Sequence, residues 1–344
     1  MELIFFLNNG VNSKVKIPVV EIIEIIYKEN LMISNLFYRF AFLEVLARWI
    51  LAKFPNLKDK IKKYKNKKAK KRSLFNEEQW DAYKQLVSNS VEDNSIVLVH
   101  ASMDGLNNIG VDEDMVFDFL SSFIDRGITV VSTAYPVTNR KIKNKKMKPY
   151  NPEKTPCWTG MLSNKFASNP LSIRSVIPYN SLAAIGSSAK EMMEDNIDAE
   201  YVYGEHTPWR YCVINHARIL FIGTTCLDSN TIQTHMIADY MGDRWPINNW
   251  YDIYDTPLKI NGELINHKLK IQSNFWTQYV VEYATTRKIK EQGLLKEFLI
   301  NGCPFGYITD SYDMVKYLEA ECEKGKLMYM IPKKYWKKDW RKNG

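Results

Sequence analysis

The chain has 344 residues, of which 45% are hydrophobic and 25% are charged, and its formal net charge is +8. This composition is typical of a globular protein of one or two domains, and it excludes a disordered chain, a collagen-like repeat and a disulfide-stapled miniprotein. The cysteines number five and show no C-x-x-C spacing, which argues against a disulfide framework and a structural zinc site and favours a reducing compartment.

The first predicted element is an amphipathic helix from Leu36 to Phe54, which Pro55 ends. Charged residues interrupt its apolar positions, so it is a poor candidate for a bilayer span. We expect it to pack on the rest of the chain or on a second subunit in a homodimer, with a peripheral membrane contact through residues 36–72 as the alternative. The acidic second residue and the absence of a basic leader predict no signal peptide and a cytoplasmic location.

A strongly basic run occupies residues 58–72. It contains nine lysines, one arginine and one aspartate, a net charge of +9 against +8 for the whole chain, so the remainder is close to neutral. Such a run is most often a solvated connector, and a contact with anionic lipid, nucleic acid or another acidic polymer is the alternative. Because the charge is confined to this run, we expect no nucleic-acid partner.

From residue 76 onward, strand and helix patterns alternate. The order strand, helix, strand at this spacing is typical of a βαβ unit, so part of the sheet should be parallel. We therefore predict an α/β fold with a partly parallel mixed sheet flanked by helices at 76–344, behind a helical, polybasic extension at 1–75. The predicted elements are a helix at 76–86, a strand at 95–100, a helix at 112–126, strands at 128–133 and 217–223, a helix at 231–241 and a hairpin or irregular segment at 245–270.

Polar residues that directly follow the predicted strands are the first candidates for a site, because open α/β sheets bind ligands beyond the carboxyl ends of their strands. His100 and Ser102 follow one strand. Thr231, His235 and Asp239 follow another, and their four-residue spacing places them on one helix face. A carboxylate one turn from an imidazole stabilises its cationic form, as a general base requires. A surface His–Asp pair on a capped helix is the structural alternative.

Arg174, Ser175 and Ser181 precede an alanine-rich stretch that we predict to begin a helix near Ser181. The free N–H groups of a helix N-terminus would make this a seat for a phosphate or another anion. The sequence has no Walker A loop, G-x-G-x-x-G, H-E-x-x-H or G-x-S-x-G motif, which disfavours nucleotide hydrolysis, nicotinamide redox, zincin and esterase chemistry. We expect no metal, and we expect the cysteines to lie in the core.

Several stretches, taken in order, resemble the aminoglycoside 3-N-acetyltransferase family, whose members transfer an acyl group from acetyl-CoA to an amino group of a sugar. The resemblance covers residues 80–325 and leaves the first 75 without a counterpart. The stretches are 96–102 with its H-x-S turn, 127–133, 159–166, 172–186, the Tyr-Gly-Glu-His-Thr-Pro turn at 203–208, and 218–223 with the following Asn230, Thr231 and His235.

The resemblance implies an α/β domain that takes acetyl-CoA as its cosubstrate. It implies that four side chains lie near the phosphopantetheine or the phosphates, namely His100, Ser102, Arg174 and Ser175. Ser181, at the predicted anion seat, is a further candidate for binding the cofactor.

For the chemistry, the resemblance implies that His235 is the base acting on the acceptor amine. Glu205 and Tyr240 are expected to contact the substrate. The chain departs from the family pattern at two positions. Ile177 stands where the family has a histidine, and Ala238 stands where it has an acid, with Asp239 one place later.

As acceptor we expect an amino sugar, with a nucleotide-linked sugar or a surface-polysaccharide precursor as the first choice. The basic loop at 143–148 would hold a diphosphate, whereas a polycationic aminoglycoside calls for an acidic cleft that a near-neutral domain does not obviously supply. A cluster of Asp and Glu in the folded pocket would reverse this preference. The alternatives are an aminoglycoside antibiotic 3-N-acetyltransferase and a catalytically weakened CoA-fold protein that serves as a binding or membrane-surface module.

Overall fold

A computed structural model of the chain describes residues 2–6, 14–18, 36–54, 73–138, 142, 145–229, 232–338 and 340. The basic run at 58–72 and the candidate Thr231 lie outside these residues. Within the described part of the chain, no helix combines the length and the apolarity needed to cross a bilayer.

The N-terminal extension contains both strand and helix. Strands β1 (Glu2–Phe6) and β2 (Lys14–Pro18) form an antiparallel pair, so the prediction of a helical extension is wrong for this part. The sequence of β2 alternates Lys with Val and Ile, and this period of two is typical of a strand. Helix α1 (Ala41–Lys53) follows a helical turn at 36–39, in agreement with the predicted amphipathic helix.

A seven-stranded mixed sheet forms the centre of the molecule, as predicted. Its strand order is β10-β11-β7-β3-β4-β6-β5. Strand β3 pairs in parallel with both β4 and β7, and the other pairs are antiparallel. The strands are β3 (Ile96–Ala101), β4 (Thr129–Thr133), β5 (Ile173–Arg174), β6 (Leu182–Ile185), β7 (Arg218–Ile222), β8 (Tyr251–Ile260), β9 (Glu263–Gln272), β10 (Leu295–Ile300) and β11 (Cys303–Ile308).

Helices cover both faces of this sheet, and side-chain caps explain where several begin. Asn76 accepts a hydrogen bond of 2.9 Å from the Gln79 N–H, and Asp112 accepts one of 3.0 Å from the Met115 N–H. The helices are α2 (Glu77–Asn89), α3 (Met103–Leu106), α4 (Glu113–Ser121), α5 (Met161–Ser168), α6 (Ala189–Met193), α7 (Pro208–Ile214), α8 (Ile237–Met241), α9 (Glu282–Glu291) and α10 (Ser311–Glu323), with a 3₁₀ turn at Ile232–Met236.

The core lies on both sides of the sheet because successive strand residues point to opposite faces. Val97 and Val99 of β3 belong to one apolar cluster, and Leu98 between them belongs to the other. The buried cysteines belong to these clusters as well. This three-layer arrangement leaves the carboxyl ends of β3, β4 and β7 together at one edge.

Two predicted elements beyond β4 have different outcomes. The hairpin expected at 245–270 is confirmed as β8 and β9, joined by Asn261 and Gly262, both with positive φ. The helix expected near Ser181 is wrong, because residues Leu182–Ile185 form strand β6 between β4 and β5. All four of its side chains are buried, since helices cover both faces of the sheet there.

Candidate active site

A cavity of about 860 Å³ lies at the carboxyl ends of the parallel strands, and we call it the strand-end cavity. The predicted residues His100 and Ser102 both line it, where β3 ends. The His100 ring stacks on Phe221 of β7 with ring centres 5.8 Å apart. The remaining lining residues come from α3, from β4, from the turn after β7 and from nearby loops, and include Asp104, Thr133, Tyr135, Trp158, Thr159, Thr225, Asp228 and Ser229.

The floor of this cavity depends on a close backbone contact between α3 and the turn after β7. A Cβ atom on Gly105 would lie 2.0 Å from the carbonyl oxygen of Gly223. Gly223 itself has φ +66°, and its N–H donates to the Tyr83 hydroxyl at 2.9 Å. Glycine at both positions therefore lets the strand end and the helix approach closely.

A second, smaller cavity of about 140 Å³ contains His235 and is called the histidine cavity. The Tyr329 hydroxyl lies 2.7 Å from His235 Nδ1 and donates to the Gln272 Oε1 at 3.3 Å. In the tautomer in which the Tyr329 oxygen accepts the Nδ1 proton, the imidazole has its lone pair on Nε2, which is the form that a general base needs.

The carboxylate that faces His235 comes from Glu282, the first residue of α9. Glu282 Oε1 lies 3.8 Å from His235 Nε2, and Glu282 Oε2 lies 2.8 Å from an Arg48 guanidinium nitrogen. Burial raises the pKa of Glu282, but the contact with His235 and the charge of Arg48 outweigh it, so the pKa lies below its ordinary value. Glu282 is therefore a carboxylate at neutral pH.

Asp239 lines the histidine cavity but does not pair with His235, which corrects the expectation from helix spacing. Its carboxylate accepts hydrogen bonds from the Tyr251 hydroxyl at 2.7 Å and the Tyr203 N–H at 2.9 Å. Burial raises the pKa of Asp239 to about 6, against the lowering effect of these two bonds. The 3₁₀ geometry of residues 232–236 breaks the four-residue stacking on which the pairing depended.

The predicted anion seat is not formed, because Arg174, Ser175 and Ser181 are buried and bound within the protein. The Arg174 guanidinium donates to backbone carbonyl groups, among them that of Ala134 at 2.6 Å. Ser175 donates to the Asn196 side chain at 2.6 Å, and the Ser181 hydroxyl lies 3.2 Å from the Tyr150 hydroxyl. These side chains hold the loops before β5 and β6, and none of the three lines a described cavity.

The two residues expected to contact the substrate lie elsewhere. Glu205 is exposed in its turn. The Arg210 guanidinium lies over the ring of Tyr240, with its central carbon 3.9 Å from the ring centre. Neither lines the strand-end cavity or the histidine cavity. The described part of the 143–148 loop packs along β8, with Lys145 2.7 Å from Asp252, and does not line them either.

The two departures from the family pattern, Ile177 and Ala238, are both in the apolar core. Ile177 is 2% exposed and Ala238 is 1% exposed. Neither position lines the histidine cavity. The two departures therefore change the composition of the core. They do not remove a polar group from the lining of the histidine cavity.

Three buried polar atoms at the cavities have no hydrogen-bond partner among the described residues. They are the hydroxyls of Tyr135 and Thr159 at the strand-end cavity and the amide nitrogen of Gln272 at the histidine cavity. Buried polar groups are nearly always hydrogen-bonded, so these atoms are available to bind water or a ligand. Tyr135 lines the strand-end cavity, and the pKa of its phenol is raised by burial first and then by Tyr179, which lines the histidine cavity.

The charge of the residues that line these two cavities differs from the charge of the residues that line a third cavity. Asp104 and Asp228 line the strand-end cavity and Asp239 lines the histidine cavity, and none of the described lining residues of either is Lys or Arg. A cavity of about 680 Å³ between the extension and α9 is instead lined by three cations, Arg39, Arg287 and Lys290, and we call it the basic cavity. Within the described residues, no cluster of His, Cys, Asp and Glu could hold a metal ion.

Sequence reasoning did not identify Glu282, Tyr329 or Gln272 as neighbours of His235. They lie 37 to 94 residues away along the chain. An acidic residue at the start of a helix, such as Glu282, signals only a helix N-terminus. Nothing in their local sequence marks them as site residues.

Comparison with known proteins identifies what the chain is similar to. A sequence model described as aminoglycoside 3-N-acetyltransferase matches residues 98–280, whereas no curated protein sequence matches significantly. The structure of aminoglycoside acetyltransferase AAC(3)-IVa, apoenzyme, is 17% identical and covers 76% of this chain and 94% of its own, with a TM-score of 0.58. The structure of AAC-IIIb in binary complex with CoASH is 15% identical; the match covers 74% of this chain and 98% of AAC-IIIb, with a TM-score of 0.58. The structure of sisomicin-bound AAC-VIa is 15% identical; the match covers 71% of this chain and 98% of AAC-VIa, with a TM-score of 0.54.

Proposed function

Because the chain belongs to the aminoglycoside 3-N-acetyltransferase family, we propose that it moves an acetyl group from acetyl-CoA to an amino group of an aminoglycoside. The charge around His235 carries the choice of acceptor. Asp239 is the acid among the described lining residues of the histidine cavity, none of which is Lys or Arg, and Glu282 lies beside His235. An aminoglycoside presents several ammonium groups, which acidic side chains attract.

This acidic lining argues against the nucleotide-linked amino sugar that the sequence favoured. A diphosphate needs cations or helix N-termini, and the loop expected to supply them packs along β8. The acidic pocket that would reverse the preference is present, so the aminoglycoside alternative replaces the first choice.

In this proposal, His235 removes the proton from the acceptor amine, because an ammonium group has no lone pair for attack. Its Nε2 is 3.8 Å from Glu282, which is longer than a hydrogen bond and leaves this nitrogen available to an amine between them. Glu282 attracts the ammonium group and stabilises the imidazolium that forms. General-base catalysis of this kind contributes about 10²- to 10⁴-fold.

Acetyl-CoA supplies the acetyl group as a thioester, and three features suit its placement. The strand-end cavity is open at the carboxyl ends of β3, β4 and β7, where such sheets bind ligands. The Tyr135 and Thr159 hydroxyls offer unused donors for the thioester oxygen. The CoA phosphates need cations, and the basic cavity supplies them at Arg39, Arg287 and Lys290.

The proposal requires that one CoA molecule span the basic cavity and the strand-end cavity. Tyr38 lines the basic cavity, and its pKa is raised by burial first and then by Glu297, Cys226 and Asp228. Asp228 in turn lines the strand-end cavity. We therefore place the pantetheine arm in the strand-end cavity and the phosphates in the basic cavity.

Thiol release from acetyl-CoA tests the proposal, with sisomicin, gentamicin, UDP-linked amino sugars or no acceptor. We expect release with the aminoglycosides, a fall of about 10²-fold or more in His235→Gln, and unchanged CoA binding by that variant. Release only with UDP-linked sugars would overturn the acceptor class. No release with any acceptor, together with a CoA-induced rise in melting temperature, would favour the catalytically weakened binding protein.

A further inference from the structure

The N-terminal extension contacts the carboxylate that faces His235. Helix α1 lies against the start of α9, where Glu44, which is 2% exposed, accepts hydrogen bonds from the backbone N–H groups of Glu282 at 2.9 Å and Tyr283 at 3.2 Å. The first N–H groups of a helix have no partner within the helix, so Glu44 caps α9 from another element. The rings of Phe37 and Tyr283 pack edge to face beside this cap.

Arg48 extends the contact to the side chain of Glu282. One guanidinium nitrogen lies 3.0 Å from Glu44 Oε1 and 2.8 Å from Glu282 Oε2. The other carboxylate oxygen of Glu282, Oε1, is the atom that faces His235 Nε2. Arg48 thus binds one oxygen of Glu282 and leaves the other directed at the imidazole.

We propose that Arg48 is a positioning residue of the active site, through which α1 fixes the orientation of the Glu282 carboxylate at His235. The inference rests on the proposed role of His235. It concerns a part of the chain that precedes the residues matched by the family model, 98–280. The extension is then a component of the catalytic domain and not only an appendage.

Arg48 also sets the charge that His235 experiences. The charged and titratable groups around the imidazole are Glu282, Tyr329 and Asp239, with Glu44 and Arg48 behind Glu282. Glu282 without Arg48 would be a carboxylate with no neutralising partner, and it would favour the protonated ring more strongly. Arg48 therefore offsets the negative charge that Glu282 directs at the imidazole.

The test compares Arg48→Gln with Lys53→Gln in the full-length chain. Lys53 is an exposed cation on the same helix that stacks on Trp49, so its replacement removes the same charge without touching Glu282. For Arg48→Gln we expect kcat to fall by about tenfold with KM for acetyl-CoA nearly unchanged. The acidic limb of its pH–rate profile should move to higher pH by about half a unit or more.

A second readout does not depend on the acceptor. The chain has five histidines, so carbethoxylation of each by diethyl pyrocarbonate can be followed by peptide mass spectrometry. The reagent reacts with the neutral ring, so the pH dependence of His235 modification should move upward in Arg48→Gln. The exposed His216, which pairs with Asp310, serves as an internal reference. Arg48→Lys should restore the pH dependence because it retains the charge.

The outcomes separate the two proposals. A shifted His235 profile in a chain that acetylates no acceptor would support the role of Arg48 and reject the proposed function. Equal behaviour of Arg48→Gln and Lys53→Gln in kcat and in both pH profiles would overturn the role of Arg48. If Arg48→Gln is poorly folded, the test uses Arg48→Lys instead. Because that variant retains the charge, we expect its pH profile to match that of the wild type. A pH profile shifted upward in Arg48→Lys, together with a wild-type kcat, would also overturn the role of Arg48.

Discussion

At the scale of single residues, the two acids near His235 differ because their surroundings differ. Glu282 has Arg48 beside it and keeps a pKa below the ordinary value, against the effect of burial. Asp239 has neutral donors from Tyr251 and Tyr203, which do not outweigh burial, and its pKa rises to about 6. A neighbouring positive charge therefore separates the two acids more than their depth in the protein does.

The raised pKa of Asp239 predicts a pH-dependent stability. The folded state holds a proton on Asp239 up to pH about 6, whereas the ordinary pKa of an aspartate is 3.8. This contribution to stability is therefore present below pH 4 and is lost as the pH rises through about 6. In Asp239→Asn the contribution is gone. We expect the stability of the variant relative to the parent to increase by about 1 kcal/mol between pH 5 and pH 8.

Urea unfolding at several pH values measures this difference. The asparagine oxygen can accept from the Tyr203 N–H, and its amide group can donate to the Tyr251 oxygen, so the local bonds are kept. Lys145→Gln, which removes the partner of Asp252 on the surface, serves as a comparison. A stability difference for Asp239→Asn that is constant with pH would contradict the raised pKa.

At the scale of secondary-structure elements, the contact between α3 and the turn after β7 shapes the strand-end cavity. A Cβ on Gly105 would meet the carbonyl oxygen of Gly223 at 2.0 Å, and both are backbone positions that cannot rotate away. We expect Gly105→Ala to lower the free energy of unfolding by about 2 kcal/mol or more. It should also weaken CoA binding, because α3 must move.

Gly293→Ala is the matched control for this prediction. A Cβ on Gly293 would meet nothing within 4 Å, but its φ is +74°, so alanine there carries only backbone strain of about 1 kcal/mol. Thermal unfolding and CoA titration of both variants make the comparison. If Gly105→Ala is as stable as Gly293→Ala and binds CoA as the parent does, the close contact does not shape the cavity.

Elements with a regular pattern and a cap could be predicted from the sequence, and contacts between distant segments could not. The βαβ unit has both a buried apolar run and an Asp112 cap, and it forms as expected. Leu182–Ile185 has no period that distinguishes strand from helix, and its position between β4 and β5 decides it. Residues 232–236 form a 3₁₀ turn, so spacing that assumed an α-helix paired His235 with the wrong acid. Its neighbours Glu282 and Tyr329 are brought there by the tertiary fold alone.

At the scale of the whole molecule, the described cavities divide by charge. The strand-end and histidine cavities are lined by acids, and the basic cavity lies between the extension and α9. The same α9 that supplies Glu282 at its first residue supplies Arg287 and Lys290 one to two turns later. Under the proposed function, one helix would face the acceptor amine with a carboxylate and the CoA phosphates with cations, which suits the binding of a cationic acceptor and an anionic cosubstrate.

This arrangement predicts how CoA binding responds to loss of the α9 cations. The double variant Arg287→Gln and Lys290→Gln should raise the Kd for CoA by about tenfold, or about 1.4 kcal/mol. The Kd for pantetheine, which has no phosphates, should change little because the proposal places that part of CoA at the strand ends. Lys288→Gln is the control, since Lys288 is on the same helix but faces Glu321 at 3.7 Å and does not line the basic cavity. Calorimetric titration measures the Kd values of the parent, the double variant and Lys288→Gln. Equal losses for CoA and pantetheine, or the same loss in Lys288→Gln, would place the phosphates outside the basic cavity.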